Sequence, residues 1–162
     1  MDSSAVTGVI SGIPTDWIII GIALILLALI AMYSGVANLV ALSIATLLTS
    51  AFIPLIPQAK FLSSFAERAQ DPSSQPVVFI ALFIPLFIMM RWVTRDTFED
   101  TGPVQAIMAA FATVIIVIVT WQQMPALVGI WDFGGLVEAL FNEAYRLWWL
   151  LGALLLLTFA RG

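Results

Sequence analysis

Neither cysteine nor histidine occurs anywhere in the chain. Without cysteine there can be no disulfide, no thiolate nucleophile and no thiolate-held zinc or iron–sulfur centre. Without histidine the commonest general base and transition-metal ligand is gone as well. Charge is scarce: Asp, Glu, Lys and Arg make up 10% of the residues, against about 25% in a typical soluble domain. Ten acids stand against six bases, for a net charge of −4, so no basic patch is available to hold nucleic acid by counterion release, and nucleic acid is not an expected partner. The first sixteen residues contain Asp2 and Asp16 but no basic side chain. That is unlike the positive start of a cleavable signal peptide, and the first apolar segment is expected to act as its own insertion signal.

What the chain does have is apolar length. Hydrophobic residues make up 62% of the 162 positions and the mean hydropathy is +1.08. From Trp17 to Ala59, 43 residues run without a single charge, roughly twice what one helix needs to cross a bilayer. A soluble helix shows a polar stripe to water, and this run has none. The fold expected is therefore all-α: one polytopic membrane bundle over 1–162, with the lipid bilayer as its solvent.

Five spans are predicted, over about 16–32, 36–53, 77–94, 103–121 and 136–160. Thr15 and Asp16 suit the first helix start, and Tyr33, Ser34, Gly35 and Asn38 form the only turn-tolerant cluster within the long run. Pro54 and Pro57 end the second helix. Over about 58–70, Phe61, Leu62, Phe65, Ala66 and Ala69 share one helical face opposite Lys60, Ser64, Glu67 and Arg68, the pattern of an amphipathic helix lying in the interface. Pro85 is expected to bend the third span, and Pro103 opens the fourth at a position where its missing amide costs little. The charge-free part of the last segment, Leu147 to Ala160, rises only about 21 Å, short of a hydrocarbon core of about 30 Å. A four-span bundle with a partly inserted last helix is therefore the rival to five. The basic residues lean slightly toward the loop after Arg91 being cytoplasmic.

Small residues recur every fourth position at Ala37, Ala41, Ala45 and Thr49, and again at Ala106 and Ala110. Such stripes allow close helix approach in lipid. Trp17, Trp92, Trp121, Trp148 and Trp149 fall near span ends, where interface anchors sit. The candidates for a polar path or a partner contact are Glu138, Asn142, Glu143 and Arg146, with interfacial anchoring as the simpler alternative. No catalytic, metal or cofactor residues are assigned. Ser34 beside Gly35 lacks a base, Lys60 near Ser63 and Ser64 would keep its charge on an exposed face, and Glu99 with Asp100 reads as a solvated loop pair. No cofactor is expected, because the usual haem or chlorophyll ligand is missing.

An acid opening the first helix at Asp16 and Trp17, a tight hairpin around Gly35, an amphipathic stretch from Phe61 to Ala66, a third span ending in Arg91 and Arg95, and an alanine-rich fourth span from Ala106 follow one another. Over residues 16 to 121 this order resembles the colicin V production protein family of small bacterial inner-membrane proteins. The family's basic, glycine-rich turn is replaced here by uncharged Tyr33, Ser34 and Gly35, and its glycine-rich fourth helix by the alanine-rich run from Ala106 to Ala112. The resemblance implies a role in the bacterial envelope or in export, and it transfers no catalytic residue. The function expected is a non-enzymatic structural or assembly subunit, with other membrane subunits or a homo-oligomer as partners. A pore-forming, holin-like or viral membrane protein and a small transporter or channel subunit stay open, as does a virion membrane in place of the bacterial inner membrane.

Overall fold

Residues 14–58, 74–95 and 102–160 are described by a computed structural model of the chain. Most of the interfacial segment expected over 58–70 lies outside the described residues, as do Glu99 and Asp100. The described elements are helical throughout: α1 (Thr15–Ser34), α2 (Val36–Phe52), a 3-10 stretch (Ile53–Gln58), α3 (Gln75–Thr94), α4 (Pro103–Gln123), and three shorter helices, α5 (Pro125–Val128), α6 (Gly135–Leu140) and α7 (Arg146–Phe159).

The reversal between α1 and α2 takes a single residue. Gly35 has φ +90° and ψ 148°, a region open essentially to glycine alone. Its amide donates to Ala31 O at 2.9 Å, and the Asn38 side-chain amide donates to Ser34 O at 2.6 Å. Two carbonyls left over at the end of α1 are thereby satisfied, which lets α2 begin one residue later. At the far end of α2, Pro54 and Pro57 leave the chain in a 3-10 stretch, as their missing amides require. Pro85 stands inside α3, and Phe79, Phe83 and Phe87 stack along that helix with centroids 5.9 and 5.7 Å apart.

α4 is the axis of the bundle. It packs against α1, α2 and α7, while α3 packs mainly on α2 from the outer side. In its most apolar window 61% of α4 is buried, compared with 6% for α1 and 11% for α3. The central helix can be enclosed because it is built from small side chains: Ala106, Ala109, Ala110 and Ala112 are all buried, so neighbouring backbones come close. The two faces of α2 divide the work. Val36, Leu39 and Val40 join the cluster around α4, whereas Ala41 and Ala45, about 200° round the helix from Ser43, are fully buried outside that cluster. That side meets α3, where the Thr94 hydroxyl reaches Ala37 O at 3.3 Å.

Most of the buried hydroxyls bond the carbonyl four residues back in their own helix. Thr46 and Thr49 donate to the carbonyls of Leu42 and Ala45. Thr113 donates to Ala109 O at 2.7 Å, so its oxygen accepts from Ser43 across the α2–α4 contact at 2.9 Å.

Four helices, α1 to α4, are long and apolar enough to cross a membrane. The continuous last helix expected over 136–160 is broken between Leu140 and Arg146. Asn142 explains the break: its side-chain oxygen accepts the Ala144 amide at 3.0 Å, a local bond that competes with helical pairing. The preceding residue is drawn inward as well, since Phe141 is buried with its ring 4.9 Å from that of Trp149. The Trp149 indole N–H donates to Leu140 O at 2.7 Å, satisfying the end of α6. What remains, α7, has 14 residues and rises about 21 Å.

Candidate functional site

Following the chain through its reversals puts the start of α1, the ends of α2 and α4 and the whole segment from Met124 to Arg146 at one end of the bundle. Several long-range bonds tie this end together. The Asp16 carboxylate, buried at the start of α1, accepts the Gly134 amide at 2.6 Å. A Cβ at 134 would lie 2.7 Å from Asp16 Oδ2, so a larger residue there would displace the Asp16 carboxylate. The Trp121 indole N–H donates to Trp131 O at 3.0 Å, and its ring meets Phe133 edge-on at 6.3 Å. The loop that leaves α4 is thus drawn back across the bundle's end.

Beneath that strap lies a cavity of about 310 Å³. Its polar lining comes from Gln122 at the end of α4, Asp132 on the strap, Glu138 on α6, Asn142 and Glu143 in the break, and Arg146 at the start of α7; Val128 and Phe133 close its apolar side. All four residues expected to form a polar path or contact, Glu138, Asn142, Glu143 and Arg146, therefore share one wall system. Arg146 Nη1 is 3.7 Å from Glu143 Oε1, a loose pair one helical turn apart. Arg146 Nε and Gln122 Nε2 are buried and have no hydrogen-bond partner. Buried donors of this kind normally find an acceptor, so the cavity is suited to a polar guest or to ordered water. Three carboxylates against one guanidinium bias it toward cationic or hydrogen-bonding groups. Its lining contains no serine, threonine or lysine.

Gln122, Asp132 and the Asp16–Gly134 bond were not singled out by the sequence. The two bonded residues are 118 positions apart, and no local pattern connects them. Among the expected anchors, Trp92 and Trp148 are 80% and 69% exposed and Trp17 is exposed. Trp121 and Trp149 instead spend their indole N–H groups holding the strap and the α6 end. The small-residue positions Ala37, Ala41, Ala45 and Thr49 lie on α2 toward α3, and Ala106 and Ala110 lie within the α4 core. Ser34 Oγ donates to its own helix at Ile30 O.

The arrangement is that of an all-helical bundle with four helices able to cross a membrane and a polar cavity at one end. Comparison with protein-family models, with curated proteins and with solved structures gives no match to this chain.

Proposed function

We propose that this is a non-catalytic, multi-pass integral membrane protein that serves as a structural or assembly subunit. The observation that carries the proposal is the closed interior between two polar ends. From Ala31 and Val36 at one end to Val119 at the other, the centre is filled by buried alanine, valine, leucine and isoleucine, and the polar contact that crosses it between α2 and α4, Ser43 with Thr113, satisfies itself. A single copy built this way has a packed centre rather than a conduit, while α1 and α3 leave large apolar flanks facing outward. Lipid or other subunits are the natural cover for such flanks.

In this reading α1 to α4 cross the membrane and α7 is a fifth, short crossing whose charged start, Glu143 and Arg146, lies at headgroup level. Among the described residues Arg91 and Arg95 lie at one end, and Asp16, Asp132, Glu138, Glu143 and Arg146 at the other. The positive-inside rule then favours the Arg91 end as cytoplasmic. A bacterial inner membrane and an envelope or export role rest on the resemblance of residues 16 to 121 to the colicin V production protein family, and belong to the proposal.

Purification in mild detergent with chemical cross-linking tests it. A stable homo-oligomer or a co-purifying membrane protein is expected, together with liposomes that stay tight to ions and dyes at high protein density. A solitary monomer that makes liposomes leaky would favour the pore-forming alternative. The unpartnered donors of Gln122 and Arg146 keep a transporter reading alive as well; solute flux abolished by Glu138→Gln or Arg146→Gln would support it over a structural role.

A further inference from the structure

At the end of the bundle opposite the polar cavity, a second pocket of about 660 Å³ lies between the α1–α2 turn and the last turns of α3. Ser34, Gly35 and Asn38 form one wall, and Arg91, Trp92 and Arg95 the other. Arg91 and Arg95 are four residues apart and so share a helix face. Both are exposed, and neither has a carboxylate within ion-pairing distance among the described residues, where the only ion pair is Glu143 with Arg146. The other polar groups are already engaged: Ser34 Oγ donates to Ile30 O and the Asn38 amide to Ser34 O. Two guanidinium forks are therefore the main free donors of the pocket. At Gly35 no side chain narrows the mouth, and a Cβ there would meet nothing within 4 Å.

We propose that this pocket binds the phosphate of an anionic phospholipid. Paired guanidiniums match phosphate oxygens with parallel, charge-assisted hydrogen bonds, and basic pockets between membrane helices are suited to anionic headgroups. The apolar surroundings fit the rest of such a lipid. Trp92, 80% exposed beside both arginines, lies where an indole meets the glycerol region, and Ile84 and Ile88, 50% and 62% exposed on α3, offer an outward track for an acyl chain. The end of α3 is also where helix carbonyls favour cations, which suits arginines at those positions. The proposal rests on the membrane reading above and adds a headgroup preference to it.

Native mass spectrometry of the full chain in mild detergent tests the site, with phosphatidylglycerol, phosphatidylcholine and inorganic phosphate as probes. Phosphatidylglycerol is expected to bind in preference to phosphatidylcholine. The double substitution Arg91→Gln with Arg95→Gln should weaken it about 30-fold, the loss expected for two arginine contacts at a membrane surface. Arg91→Lys with Arg95→Lys should keep much of the binding, and Arg146→Gln, at the other end, should leave it unchanged; unaltered circular dichroism shows that each variant is folded. Equal binding of both lipids, or phosphatidylglycerol binding indifferent to the glutamine substitutions, would overturn the site while leaving the membrane reading intact. Displacement by inorganic phosphate at equal concentration would overturn the lipid assignment in favour of a soluble anion. Binding of neither lipid would overturn the site, while the membrane reading is tested separately by cysteine labelling in proteoliposomes.

Discussion

Replacing Gly134 by alanine tests how the loop after α4 is tied to the start of α1, and the geometry gives the sign of the effect. Gly134 has φ −59° and ψ 160°, a conformation alanine adopts freely, so no backbone strain is added. The cost comes from Asp16 alone. The new Cβ would lie 2.7 Å from Asp16 Oδ2, and moving it clear breaks the 2.6 Å bond from the Gly134 amide. A hydrogen bond to a charged group is worth about 1.5–3 kcal/mol, and restriction of the unfolded chain by alanine offsets about 0.4–1 kcal/mol of it, so a net loss of about 1–2 kcal/mol is expected for Gly134→Ala in the wild-type background. With Asp16→Ala already present the clash is gone, and the same substitution should be neutral or stabilising by about 0.4–1 kcal/mol, because alanine restricts the unfolded chain. Thermal or SDS unfolding in detergent micelles, followed by circular dichroism and tryptophan fluorescence, gives the four stabilities of the cycle. Additive losses would refute the reasoning, since two residues acting through one bond must couple.

Two more outcomes follow from the packing. Ala41→Leu or Ala45→Leu should each cost about 1–3 kcal/mol by overfilling the α2–α3 contact, and should reduce cross-linking between cysteines placed on those two helices. Ala81→Leu, on the exposed side of α3, should leave both measurements unchanged, and an equal loss there would deny the stated face. Gly35→Ala should cost about 1–3 kcal/mol through backbone conformation alone, because the added methyl meets no neighbour; an unchanged unfolding midpoint would mean the α1–α2 reversal is not as tight as described.

The first four helices were legible because charge is missing where it would have to be spent in a soluble fold. The run from Trp17 to Ala59 could be divided only at Tyr33 to Asn38, and the break falls at Gly35. The last helix misled for a physical reason. Leu136 to Ala160 keeps helical spacing throughout, and the interruption depends on a side-chain turn at Asn142 and on Trp149 reaching back to Leu140, contacts that spacing does not encode. Part of the polar cavity was legible for the reason that made the helices so: in a chain this apolar, Glu138, Glu143 and Arg146 stand out. Gln122 and Asp132 read as ordinary members of a reversal, and the bond from the Gly134 amide to Asp16 joins residues 118 positions apart. The arginine pocket was likewise split between a turn and a helix end 57 residues apart, the separation of Ala37 and Thr94 that brings them together.

The chain has no native cysteine, so single cysteines can be labelled in intact proteoliposomes with a membrane-impermeant maleimide. Tyr33 is 90% exposed at one end, the Glu143 side chain 89% exposed at the other, and Ile25 60% exposed at the middle of α1. With lipid around the bundle, Tyr33→Cys and Glu143→Cys should react from opposite sides and Ile25→Cys should stay unreactive until detergent is added. Rapid labelling of Ile25→Cys in the intact vesicle, or labelling of both end positions from one side, would contradict a bundle that crosses the membrane.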